Sequence, residues 1–268
     1  MPAADVALDR TAALLAAAVR EAGALALQKF RSPFKSWTKG KDSPVSEVDI
    51  AVDELLRERL IGATPGYGWL SEETTDDSAR LTAQRVWIVD PIDGTRAFIA
   101  GREDWVISAA LTETGRPILG AIFVPVENAL MLAVKHAGAT LNGTAMRAHD
   151  GDSLRGAKVA GPQRYIDALI AAGCGVDPVP RVHSLALRLA RVATGALDVA
   201  FAGGNSHDWD IAAADLIVHE AGGALTGLDG HRPVYNRSSP IHGALVASGR
   251  ARRDKVVRLM QDRRVTVA

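Results

Sequence analysis

The sequence predicts a mixed α+β / α/β protein, and three observations carry that prediction: an uninterrupted Ala/Leu-rich N-terminal stretch, a central block of short β-branched apolar runs, and alternating strand and helix patterns beyond Gly156. With 268 residues, 47% of them hydrophobic, the chain is long enough to bury a large core.

Residues 6–30 are good helix formers with no Pro or close Gly pair, and they read as one long amphipathic helix that ends before Ser32-Pro33. A second helix is expected after Ser46, a candidate N-cap with Asp49 three residues on as an acidic capping box; Gly62 and Pro65 close it. Val86-Trp87-Ile88-Val89 is a continuous apolar run and predicts a buried strand that stops at Asp90-Pro91. Runs at 106–112, 118–124 and 130–134, separated by Gly-, Pro- and Asn-containing turns, predict an antiparallel sheet. A strand at 158–160 and helices at 184–194 and 210–221 follow, the last stopped by Gly222-Gly223. The change of pattern places a boundary near residue 150, between an α+β subdomain (1–150) and an α/β subdomain (151–268).

Charge and cysteine content narrow the function classes. The 31 Lys+Arg and 31 Asp+Glu cancel, so no net field draws in a nucleic-acid polymer, and an anionic ligand must be handled locally. Cys174, the single cysteine, forms no intramolecular disulfide and sits in an Ala/Gly stretch that suits a small packing residue better than a nucleophile. Acids at Asp5 and Asp9 break the layout of a secretory signal, and no segment reaches the roughly 20 apolar residues of a membrane span. A cytoplasmic protein without membrane contact is the expectation.

The chemistry concentrates at Asp90 and Asp93. Asp90 lies where a strand ends, and Pro91 is expected to turn the chain so that both acids converge on one point. Two carboxylates about 4 Å apart repel by roughly 4 kcal/mol at an effective dielectric of about 20, which a divalent cation would cancel. Oxygen donors without clustered His or Cys point to Mg²⁺, with Mn²⁺ as substitute. Asp-Pro and Asp-Gly pairs are also ordinary turn residues. Gly94 and Thr95 precede 96–100, a segment suited to a helix or turn with free N–H groups, which is a ready phosphate site.

Longer motifs make a resemblance specific. Trp87-Ile88-Val89-Asp90-Pro91-Ile92-Asp93-Gly94-Thr95 resembles the first signature of the inositol monophosphatase superfamily, and Trp209 to Ala214 with Glu220 to Gly223 resembles the second. Ser71-Glu72-Glu73 is similar to the Gly-Glu-Glu element of that family, with Ser71 as a departure, and 43–49 is similar to its lithium-sensitive motif. The resemblance implies a layered αβαβα sandwich of the inositol monophosphatase/fructose-1,6-bisphosphatase type and Mg²⁺-dependent phosphate-ester hydrolysis using two or three ions, inhibited by Li⁺ and Ca²⁺. It further implies that Glu72, Asp90 and the Ile92 carbonyl hold one metal and that Asp90, Asp93 and Asp210 hold a second. Glu72 and Thr95 would orient the attacking water with support from Asp49, the Gly94 and Thr95 N–H groups would hold phosphate oxygens, and Asp210 would face the substrate. Dimerisation is implied as well.

The substrate is read from weaker positions. Inositol phosphatases of the family carry an acid roughly seven residues before the equivalent of Asp210, where this chain has Gly203-Gly204. The Ser43-Pro44-Val45 form resembles bacterial 3'(2'),5'-bisphosphate nucleotidases, and Arg188 aligns with a basic position of that group. The preferred substrate is therefore a small phosphorylated metabolite, 3'(2')-phosphoadenosine 5'-phosphate, with inositol 1-phosphate, histidinol phosphate or a catalytically degenerate regulatory role as alternatives. Trp87, Trp209, His183 and His219 read as structural, His207 as an outside candidate, and Lys39 and Lys41 as solvated charges.

Overall fold

The structure, a computed structural model, describes residues 3–40 and 43–262. Lys41 lies outside the described residues. The first part of the chain runs α1 (Ala3–Lys29), β1 (Ser36–Lys39), β2 (Ser43–Ser46), α2 (Glu47–Ala63), β3 (Gly68–Ser71), β4 (Arg85–Asp93), α3 (Thr95–Ile99), β5 (Val106–Glu113), β6 (Arg116–Val124), β7 (Ala129–Val134), β8 (Gly138–Leu141) and β9 (Thr144–Ala145). The rest runs β10 (Lys158–Ala160), α4 (Gln163–Ala171), β11 (Asp177–Pro178), α5 (Leu185–Ala190), β12 (Val199–Ala202), β13 (Ser206–His207), α6 (Asp208–Glu220), β14 (Gly223–Gly227), β15 (Ile241–His242), β16 (Leu245–Gly249) and α7 (Arg250–Asp262).

Five layers result. A seven-stranded sheet of order β3-β4-β5-β6-β7-β8-β9 is antiparallel throughout except for the parallel β3–β4 pair. A mixed five-stranded sheet has order β11-β10-β12-β16-β14. The continuous apolar run of β4 is explained by burial on both faces: Trp87 and Val89 pack with α1 and α2, while Val86 and Ile88 face the middle layer of α5 and α6. That middle core takes residues from both sheets, and a third cluster packs α4 and α7 on the far side of the five-stranded sheet. The order is helix, sheet, helix, sheet, helix.

The Ala212-Ala213-Ala214 stretch of α6 owes its small size to this layering. Gly120 of β6 lies so close beneath the helix that a Cβ there would sit 2.8 Å from the Ala213 carbonyl oxygen. Small residues on both elements let α6 lie against the sheet and bring its N-terminus to the carboxyl end of β4. Helix 184–194 is shorter than expected: α5 ends at Ala190 and turns carry the chain on to Gly195, whose φ is +72°. Among the described residues no helix is long and apolar enough to cross a membrane.

Candidate active site

Asp90 and Asp93 stand three residues apart on one strand, and in a regular strand that odd spacing would put them on opposite faces. The strand does not stop at Asp90, as the sequence suggested; it continues to Asp93 through a bulge. Its partner pairing steps from Asp90↔Ser108 to Asp93↔Val106, so β4 carries one extra residue there. Pro91 lies inside the bulge, where its missing N–H breaks no ladder bond. The extra residue turns both carboxylates to the same side, and Asp90, Asp93 and Asp210 present oxygens that all lie within 4.8 Å of one another.

The turn comes one residue later, at Gly94, whose φ is +97°. A Cβ there would lie 3.1 Å from the Asp104 carbonyl oxygen and 3.4 Å from Ser184 Cα, so both the backbone angle and the space call for glycine. Thr95 then opens α3, with its hydroxyl 3.1 Å from Asp49 Oδ1 and 3.0 Å from the Ile92 carbonyl oxygen. Asp49 has two jobs. Its Oδ2 accepts the Ser46 backbone N–H at 2.9 Å, completing the capping box of α2, while Oδ1 faces Thr95.

Glu72 follows β3 on a loop pinned from beneath. The Ser71 hydroxyl donates to Asp53 of α2, a bond that a glycine at this position would lack. Lys39, expected to be a solvated charge, covers this loop: its Nζ lies 2.5 Å from Glu73 Oε2 and 3.9 Å from Glu72 Oε1. Asp210 belongs to the first turn of α6, where His207 is the N-cap rather than Asp208; Asp210 Oδ2 accepts the His207 backbone N–H at 2.6 Å.

Asp93 is tied to the second sheet's side of the molecule. Ser184 Oγ donates to its Oδ2 at 2.5 Å, Ala186 N–H to the same oxygen at 2.6 Å, and Leu185 N–H to Oδ1 at 3.2 Å. Asp90 is treated differently: it is buried and its Oδ1 has no hydrogen-bond partner among the described residues. Burial lifts Asp90 and Asp210 well above the ordinary carboxylate range, and neighbouring acids add to the effect. Glu72 is raised to about 7, first by burial and then by Glu73, with Lys39 opposing. Asp93 is raised by burial against the pull of its three donors, and Asp49 by burial against Ser46 and Thr95. A buried oxygen without a partner beside like charges is what a hard divalent cation would satisfy, and the donor set of carboxylates with no His or Cys fits such an ion.

These groups open into a cavity of ≈ 200 Å³ lined by Glu72, Asp90, Asp93, Gly94, Thr95 and Asp210. Arg188 is not among its lining residues. It lies behind Asp93 on α5, donates to the Val182 carbonyl at 3.1 Å, and acts on Asp93 and Asp210 as a nearby positive charge. Arg96, Arg181 and His183 do line the cavity, a cationic wall that sequence reading passed over. His183, read as structural, contacts Asp104 through Nδ1 at 2.6 Å. His207 stacks on Trp209 with ring centroids 4.5 Å apart, and His219 lies on the same helix 3.5 Å from Asp215. Ser184 was visible in the sequence only as the start of a helix, and Asp104 carried no signal at all.

Comparisons with known proteins agree with this geometry. An inositol-1-monophosphatase of Mesorhizobium japonicum is 32% identical over 227 residues, covering 76% of this chain and 80% of that protein. A histidinol-phosphatase of Mycobacterium tuberculosis is 35% identical over 233 residues, covering 82% and 85%. The crystal structure of the extragenic suppressor protein suhB from Bartonella henselae superposes with a TM-score of 0.83 at 27% identity, covering 92% of this chain and 97% of that one. The model of the inositol monophosphatase family matches residues 7–263, and the chain belongs to that family of metal-dependent phosphatases, which hydrolyse phosphate monoesters.

Proposed function

We propose that this phosphatase acts with Mg²⁺ on a small-molecule monoester bearing a second anionic group, with 3'(2')-phosphoadenosine 5'-phosphate preferred. The observation that carries the hydrolytic reading is the partnerless Asp90 oxygen, buried among Glu72, Asp93 and Asp210 and next to Thr95. In this reading Glu72, Asp90 and the Ile92 carbonyl hold one ion, and Asp90, Asp93 and Asp210 a second. When bound, such ions supply Lewis-acid activation of water and stabilise charge on the phosphate and the departing oxygen.

The chain's own groups prepare the rest. Thr95 Oγ1 has two acceptors within 3.1 Å, Asp49 Oδ1 and the Ile92 oxygen. Donating its proton to either leaves its lone pairs to receive a hydrogen from a water in the cavity, which orients that water. Glu72, lifted to about 7, is matched to accept a proton near neutral pH. Asp93 is the most firmly seated acid, with three donors fixing both oxygens, so the position of whatever it binds is set by the α5 N-terminus.

The substrate preference rests on the site's far rim. Inositol enzymes of the family, as the sequence resemblance has it, carry an acid near Gly203. Here a Cβ on Gly203 would lie 3.8 Å from a nitrogen of Arg164, so the position is flanked by a cation and offers no carboxylate to a polyol. That environment favours an anionic neighbour of the scissile ester, and it disfavours the ammonium group of histidinol phosphate. Phosphate release from 3'-phosphoadenosine 5'-phosphate, inositol 1-phosphate and histidinol phosphate, measured side by side with Mg²⁺, tests the assignment. The adenosine bisphosphate is expected to give the highest kcat/KM, and a lower value than either competitor overturns the preference.

A further inference from the structure

The segment that seats Asp93 also builds the opposite wall of the cavity. His183 N–H and ring Nδ1 both lie 2.6 Å from Asp104 Oδ2, and Ser184 N–H donates to the Asp104 carbonyl at 3.2 Å. With the Ser184, Leu185 and Ala186 donors on Asp93, residues 183–186 are locked between Asp93 and Asp104. Arg181 and His183 therefore reach the cavity from a rigid support. The contact with Asp104 occupies Nδ1 and leaves Nε2 as the ring atom available to a ligand.

Charge bookkeeping gives this wall a purpose. Among the described residues Arg181 makes no ion pair, and the Arg188 guanidinium behind it is close enough for the two like charges to repel. Such a grouping is unfavourable until an anion joins it. Two divalent cations would neutralise Glu72, Asp90, Asp93 and Asp210, so a phosphate dianion is left for Arg96 and Arg181 to balance. His183 and Arg188 then exceed what one phosphate needs.

We propose that Arg181 and His183 form a second anion subsite, held in place by Asp104, that receives a phosphate or carboxylate on the substrate other than the group being cleaved. The subsite rests on the cavity being the phosphatase centre, but not on the substrate being a nucleotide. It sets specificity by favouring doubly anionic esters over singly anionic ones with the same scissile bond.

Two substrate pairs test this: adenosine 3',5'-bisphosphate against adenosine 3'-phosphate, and 2-phosphoglycerate against glycerol 2-phosphate. Each pair keeps the ester and changes only the remote group. The wild type is expected to prefer the more anionic member of at least one pair. Arg181→Ala should lower kcat/KM for that member about tenfold more than for its partner, chiefly through KM. Arg181→Lys should recover part of the loss. His183→Asn, which keeps an N–H for Asp104 but removes Nε2, should narrow the preference without the same loss of thermal stability as Asp104→Ala. If only the glycerate pair responds, the subsite stands and the nucleotide preference falls. Absence of preference in both pairs, or equal losses for both members in Arg181→Ala, overturns the subsite whichever ester is the best substrate.

Discussion

Asp90 and Asp93 share a strand and a cavity, yet the protein holds them in opposite ways, and conservative substitution should separate them. Asp93 accepts three hydrogen bonds, so Asp93→Asn turns an –NH₂ toward donors and loses part of that network. The expected cost is about 1–3 kcal/mol of stability, together with a fall in Mg²⁺-dependent phosphate release of roughly 10²-fold or more. Asp90 has a partnerless oxygen and only like charges among the neighbours that act on it. Asp90→Asn removes that repulsion, so the metal-free variant should melt above the metal-free wild type at pH 8 while activity and the Mg²⁺-induced rise in Tm both disappear. Calorimetry with EDTA and with Mg²⁺ on the two variants checks the contrast, and an Asp90→Asn protein that melts lower than wild type without metal contradicts it.

At the scale of elements, the acid-bearing loops are coupled by a residue far from them in sequence. Asn236, in the segment between β14 and β15, accepts from Arg80 Nη1 at 2.7 Å, donates through Nδ2 to the Arg80 carbonyl at 3.2 Å, and donates its N–H to Asp208 Oδ2 at 2.7 Å. Arg80 ends the excursion that begins at Glu72, and Asp208 stands two residues before Asp210. Asn236 also adopts a φ of +55°, a region asparagine tolerates better than alanine. Asn236→Ala is expected to cost about 1–3 kcal/mol and to raise the Mg²⁺ concentration for half-maximal activity several-fold, read by denaturant unfolding and a metal titration. Unchanged metal dependence in a destabilised Asn236→Ala protein would show that the link serves the fold alone. This coupling was not legible in the sequence, and neither was the role of the α5 N-terminus, because both join residues whose only shared property is position in the fold. What the sequence did carry was local: the Ser46–Asp49 capping box, the doubly buried β4, and the acids of the Asp90–Asp93 segment. The bulge that makes those acids converge escaped because Pro91 marks a disruption without telling a turn from an extra residue in a ladder. Arg188 drew notice as a charge in a helix, whereas Arg181 and His183 reach the cavity from a loop that periodicity does not describe.

For the molecule as a whole, the acids of the cavity make stability depend on pH and on metal together. Glu72 has an ordinary value of 4.5 and is raised to about 7 in the fold, and Asp90 and Asp210 are raised well above 3.8. A carboxyl with a raised folded pKa binds its proton more tightly in the native state, so its stabilising contribution is complete below the unfolded value and is lost as pH rises through the folded one. Metal-free protein should therefore lose stability between about pH 5 and 7 through Glu72, and beyond that through Asp90 and Asp210. The groups with lowered values, Asp76, Asp104 and Asp198, have the opposite sign but finish titrating below this window. His207, lowered by burial from 6.5, gains stability with rising pH and is also complete near neutrality. Comparing pH 6.5 with pH 8.5 isolates the cavity acids. In EDTA the Tm should be lower at pH 8.5, and saturating Mg²⁺, which binds the ionised acids, should raise it more at pH 8.5 than at pH 6.5. A metal-free Tm that is the same at both values, or a Mg²⁺-induced rise that is larger at pH 6.5, would mean that the buried acids are already balanced by groups of the chain itself.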